Sequence, residues 1–75
     1  MADNAQRMTD EEAIQAAVAW GRQRYPGTEV RASIAERTEA DVYIDLEIPD
    51  EVLTLLVHVR RSYDGGTLVE QQAVH

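Results

Sequence analysis

The chain of 75 residues has no cysteine, no lysine and no phenylalanine. Without cysteine there can be no disulfide framework, no thiolate zinc site and no cysteine nucleophile. Without lysine the basic side chains are seven arginines set against 14 acidic residues, which leaves a formal net charge of −7 at pH 7. Phosphate backbones are gripped by clustered Lys and Arg, so direct binding of nucleic acid is not expected. An acidic surface suits solubility, or a partner protein with a basic surface. Long apolar runs are absent as well. None approaches the roughly 20 residues that span a bilayer, and the opening Met1-Ala2-Asp3-Asn4-Ala5-Gln6-Arg7 lacks the basic and apolar regions of a signal peptide. The expectation is a soluble cytoplasmic protein with no membrane partner.

At this length folding buries only about 60% of the surface that the unfolded chain exposes, so the core of a single domain is thin. Residues 1–8 are polar and without periodicity, and read as a disordered tail. Thr9 then offers a helix N-cap with Glu12 three positions on, the spacing of a capping box, and Asp10 and Glu11 put negative charge where the helix dipole favours it. From Asp10 to Arg24, Ile14, Ala17, Val18, Gly21 and Tyr25 fall on one stripe with Ala13 and Trp20 beside it. Glu12, Gln15, Ala19, Arg22 and Gln23 take the other side. Gly21 costs about 1 kcal/mol of helix propensity in mid-stripe, which predicts a close approach of helix to sheet. Pro26-Gly27 ends the helix.

Three alternating runs follow. The first covers 28–37, with Val30, Ala32 and Ile34 facing the core; the second covers 41–48, with Val42, Ile44, Leu46 and Ile48 inward and Tyr43, Asp45 and Glu47 outward. The third covers 51–63, with Leu53, Leu55, Val57 and Val59 on one face and Val52, Thr54, Leu56, His58 and Arg60 on the other. That second face is more apolar than water requires, so Val52 and Leu56 are expected to be covered. Asp64-Gly65-Gly66 signals a hairpin into a short fourth strand at 67–71, with 73–75 frayed. The predicted fold is α+β over residues 9–72: one amphipathic helix on a three- or four-stranded antiparallel meander.

No motif fixes a chemistry. His58 shares a strand face with Arg60, opposite Tyr43 and Asp45, and a histidine so placed is suited to proton transfer. No nucleophile, second internal histidine or Gly-rich loop accompanies it, so the reading preferred for His58 is a surface histidine in a cross-strand polar ladder rather than a catalytic site. The carboxylates match no calcium loop, and His75 at the terminus is a poor metal ligand, so neither a metal nor a cofactor is expected. Acidic residues gather in and around the second run. They read either as a charged edge that resists aggregation or as a face complementary to a basic groove.

The order of helix, Tyr25-Pro26-Gly27, the run Val42-Tyr43-Ile44-Asp45-Leu46-Glu47-Ile48 and the closing Asp64-Gly65-Gly66-Thr67-Leu68-Val69-Glu70 resembles the small PepSY-like modules. The resemblance spans about Glu12 to Glu70. It implies a non-catalytic module that binds or restrains another protein, often a peptidase, and it carries over no catalytic residue. The leading expectation is thus a non-enzymatic protein-binding module or inhibitor that uses Tyr43, Asp45, Glu47, Leu56 and His58. Three alternatives remain. One is a small acidic antagonist occupying a nucleic-acid-binding groove, in the manner of phage anti-defence proteins. Another is a small enzyme or ligand-binding protein with Tyr43, Asp45 and His58 at a subunit interface. The last is a homodimer joined through the outer sheet face.

Overall fold

Thr9 starts the helix as its spacing predicts. The Thr9 hydroxyl accepts the Glu12 amide at 3.1 Å, and the Glu12 carboxylate accepts the Thr9 amide at 3.1 Å, so two backbone donors that a helix start would leave open are satisfied reciprocally. In the computed structural model, which describes residues 8–74 (73 and 74 by backbone alone), the element order is α1 (Asp10–Arg24), β1 (Arg31–Arg37), β2 (Asp41–Ile48), a 3-10 turn (Pro49–Glu51), β3 (Leu53–Arg61) and β4 (Thr67–Val74). The four strands form one antiparallel sheet in chain order, β1-β2-β3-β4, with the helix packed on one face. This is the α+β helix-plus-meander architecture that the alternating runs predict. No helix among the described residues is long and apolar enough to cross a membrane.

The core lies between helix and sheet. Val42, Ile44, Leu46 and Ile48 of β2 and Leu55, Val57 and Val59 of β3 are buried, with Ala32, Ile34, Leu53 and Val69 packed at the margins. The helix meets them along Ala13, Ala17 and Gly21, all buried, while Ile14, Ala16, Trp20 and Tyr25 pack around that line. The centre of contact is therefore one position off the stripe expected on Ile14 and Val18. Small residues are what permit it: a Cβ on Gly21 would stand 3.0 Å from Val30 Cγ1 and 3.5 Å from Leu46 Cδ1. The larger Ile14 and Trp20 fit only at the sides of so close a crossing.

The ends of the elements differ from the sequence reading in several places. Met8, assigned to a disordered tail, is fully buried. It stands at N′ and buried Ala13 at N4, the two positions of a hydrophobic staple. Arg37 holds this entry, pairing with the Asp10 carboxylate and donating to the Met8 carbonyl. The rest of the expected tail, residues 1–7, lies outside the described residues, as does His75. β1 begins at Arg31 rather than at 28, because the chain is still turning: Gly27 has φ +81° and the Thr28 hydroxyl donates to the Tyr25 carbonyl at 2.7 Å. β3 spans 53–61, not 51–63, since Pro49–Glu51 closes as a 3-10 turn with Val52 N–H bonded to the Pro49 carbonyl at 3.0 Å. β4 is longer than expected, with Ala73 and Val74 paired to Leu56 and Leu55.

Val52 is thereby removed from the outer sheet face. It is 91% exposed at φ 50°, in the left-handed region that a β-branched side chain rarely enters. At the other hairpin Gly65 takes φ +93°, and the loop closes through Ser62 N–H to the Gly66 carbonyl at 2.8 Å. Hydrogen bonds from the Ser62 hydroxyl and then from the Gly66 amide hold the Asp64 carboxyl below its ordinary value.

Glu12, expected on the solvent side of the helix, instead joins α1 to the end of β3. Both its oxygens face the Arg61 guanidinium, at 3.1 and 3.2 Å. The Arg61 hydrogen bond, followed by the Thr9 amide, lowers the Glu12 carboxyl from 4.5 to about 2. A carboxyl depressed in the folded state stabilises that state above its unfolded value, and the contribution disappears as pH falls through the folded value. We expect Glu12→Gln to be less stable than the parent at neutral pH, with the gap closing between pH 4.5 and 2. Urea unfolding of both proteins across that window is the check; a gap that persisted unchanged at its acid end would contradict the assignment.

Candidate functional site

One helix covers one face of the sheet, and none of the described elements packs on the other. The period of two in β2 and β3 sends every second side chain there. Register then decides which residues meet. Tyr43 stands opposite His58, Asp45 opposite Leu56, Glu47 opposite Thr54, and Asp41 opposite Arg60. All five residues expected to contact a partner, Tyr43, Asp45, Glu47, Leu56 and His58, therefore share this face in two adjacent rows.

Tyr43 and His58 stack, with ring centroids 4.6 Å apart and planes 10° from parallel. The imidazole is well covered, its side chain 15% exposed, and its Nε2 lies 2.8 Å from Asp41 Oδ1. Asp41, two residues before Tyr43 on the same face, is thus the carboxylate that orients His58, in place of the Asp45 that the alternation suggests. Asp41 was missed because it sits at a strand start, beside a turn in which Thr38 and Asp41 bond each other. The pair fixes one ring nitrogen and the stack fixes the ring plane, so the imidazole is held as a rigid platform. Among the described residues no three His, Asp or Glu side chains are grouped to hold a metal ion.

Two neighbouring depressions flank β2 on this face. One, of about 350 Å³, is lined by Ala35, Glu36, Tyr43 and Leu56. The other, of about 380 Å³, is lined by Arg31, Ala32, Ser33, Asp45, Glu47 and Thr54. The first owes its shape to a bulge. Ile34 pairs with Ile44 and Glu36 with Tyr43, which leaves Ala35 as an extra residue, so both Ala35 and Glu36 line the depression with Tyr43. Strict alternation from Ala32 and Ile34 would have sent Glu36 into the apolar core, and the bulge avoids that burial. The signal was present in the sequence as an acidic residue in an inward-facing position.

The rim is charged. Arg31 lies 2.7 Å from Glu29 and 3.8 Å from Glu47, and Arg60 lies 3.8 Å from Glu70. Glu29 first, through its hydrogen bond, and then Glu47 hold the Arg31 guanidinium further into its charged form. Asp45 and Glu36 differ from these: among the described residues, neither carboxylate has a hydrogen-bond or ion-pair partner. The face has aromatic and aliphatic groups at its middle and charges around them. Chemically it can stack, desolvate and attract positive charge. Comparison with family models, with curated proteins and with solved structures finds no match to this chain.

Proposed function

We propose that this protein is a non-enzymatic protein-binding module that engages a partner with a basic surface through the outer face of its sheet. The observation that carries the reading is the uncovered face itself. Tyr43, Leu56 and His58 sit at its centre, two partnerless carboxylates stand beside them, and no described element packs over them. Three supports come from elsewhere in the chain. The net charge of −7 with no lysine sets the sign of the partner by electrostatic complementarity. The thin core of a 75-residue domain leaves apolar surface whose burial on a partner contributes on the order of 25 cal/mol per Å². The helix-plus-meander order is also that of the PepSY-like modules, for which binding or restraint of another protein is the implied role.

Capture from a lysate of the source organism, with bound proteins identified by mass spectrometry, tests this reading when variants are compared. Asp45→Lys combined with Glu47→Lys should lose the partner that the parent retains, whereas Gln15→Lys on the helix side should keep it. Because Glu47 and Gln15 are exposed and Asp45 only half-buried, these surface changes should move stability by no more than about 0.5 kcal/mol each. Equal capture by the double variant would remove the acidic face from the interface.

A further inference from the structure

We propose that the depression between the β1 bulge and Leu56 receives an arginine side chain of the partner. This inference rests on the protein-binding reading above and specifies the chemistry of what binds there. Four observations lead to it. The wall is aromatic and aliphatic, made by Tyr43, Leu56 and Ala35. Tyr43 is braced from the side, because one face of its ring is stacked on His58 and His58 is tied to Asp41. Glu36 lines the depression and Asp45 stands next along β2, opposite Leu56, and neither carboxylate is neutralised within the described chain. At the far end of the same face Glu47 already faces Arg31, so uncompensated negative charge is concentrated at the Tyr43 end.

The charge favours a cation, and the wall decides which one. An ammonium is compact and strongly hydrated, and would leave water behind to lie against Leu56 and Ala35. A guanidinium is planar, more weakly hydrated and able to stack on an aromatic ring while its N–H groups, directed outward in its own plane, bond a carboxylate beside the stack. Tyr43 and Asp45, two residues apart on one strand face, offer those two elements side by side. The volume of about 350 Å³ accommodates the guanidinium together with the methylene stem.

The test uses the full-length protein labelled with ¹⁵N and two capped glycine-serine peptides that differ only in a central arginine or lysine. The arginine peptide should shift the amides of Ala35, Glu36, Tyr43, Asp45 and Leu56, and should bind roughly threefold to fivefold more tightly than the lysine peptide. Asp45→Asn, which keeps the shape of the side chain, should weaken the arginine peptide by a similar factor, and Tyr43→Leu should abolish the preference for arginine. Equal affinity for the two peptides, or a preference that survives both substitutions, overturns the arginine pocket while partner capture still reports separately on the face. Shifts confined to the helix would overturn both. If the protein proves dimeric and Leu56→Lys makes it monomeric, a second copy occupies this surface and the arginine assignment falls.

Discussion

Leu46→Ala should cost the domain about 3 kcal/mol, the middle of the range for truncating a buried leucine. Leu46 is fully buried at the centre of β2, below the helix, and its Cδ1 reaches within 3.5 Å of where a Cβ on Gly21 would stand. The helix is rigid and its contact residues are small, so nothing nearby can swing in to fill the void. A domain of this size has a stability on the order of 4–11 kcal/mol, so the loss is a large fraction of the total. The midpoint of thermal unfolding should fall by roughly 12–24 °C. Leu46→Met, which keeps the volume, should lose less than about 1.5 kcal/mol. Urea unfolding of the three proteins decides it, and a loss below about 1 kcal/mol for alanine would mean that the helix settles into the space.

Gly21→Leu should be the other severe change, for the opposite reason. The cavity experiment removes atoms from the helix-sheet contact; this one adds them where the helix lies against the Val30 and Leu46 side chains. Any Cβ at position 21 stands 3.0 Å from Val30 Cγ1, and a leucine must place three further carbons in the same seam. Overpacking of this kind costs about 1–3 kcal/mol, against about 1 kcal/mol gained by removing a glycine from a helix. We expect a net loss of up to about 2 kcal/mol for leucine and a result near zero for alanine, where the two terms oppose each other at similar size. If Gly21→Ala stabilised the protein by the full propensity gain, the close approach would not be what selects glycine there.

These two positions also show how far the sequence can be read. Gly21 announced the close approach because a glycine in mid-helix has a propensity cost that only packing repays. The alternation of Val42 to Ile48 gave β2 its bounds and its inward face, since a period of two cannot be satisfied by a helix. What escaped were events in which one contact overrides a pattern. Met8 follows a polar tail, yet it is drawn into the core as the staple residue ahead of the Thr9 cap. Val52 continues the alternation of β3 on paper, but the turn at Pro49 leaves it in a left-handed conformation outside the sheet. For the candidate site, the five residues named from the pattern do share a face, because register follows from which face is apolar. The shape of the depression did not follow, since it depends on the bulge at Ala35, and Asp41 was hidden by its place at a turn.

The strand order has a consequence for how the molecule comes into being. Every strand pairs with its neighbour in the chain, so each hairpin closes over a short loop and the sheet can grow one strand at a time as the polypeptide leaves the ribosome. The helix precedes all four strands in the chain, so the surface it packs on is synthesised after it. Ala13, Ala17 and Gly21 offer little apolar area of their own, and the surface they pack on does not exist until both β2 and β3 have been synthesised. During that interval the capping box of Thr9 and Glu12 is the local device that favours the helix, and the Arg61 guanidinium that later holds Glu12 arrives only as the third strand ends.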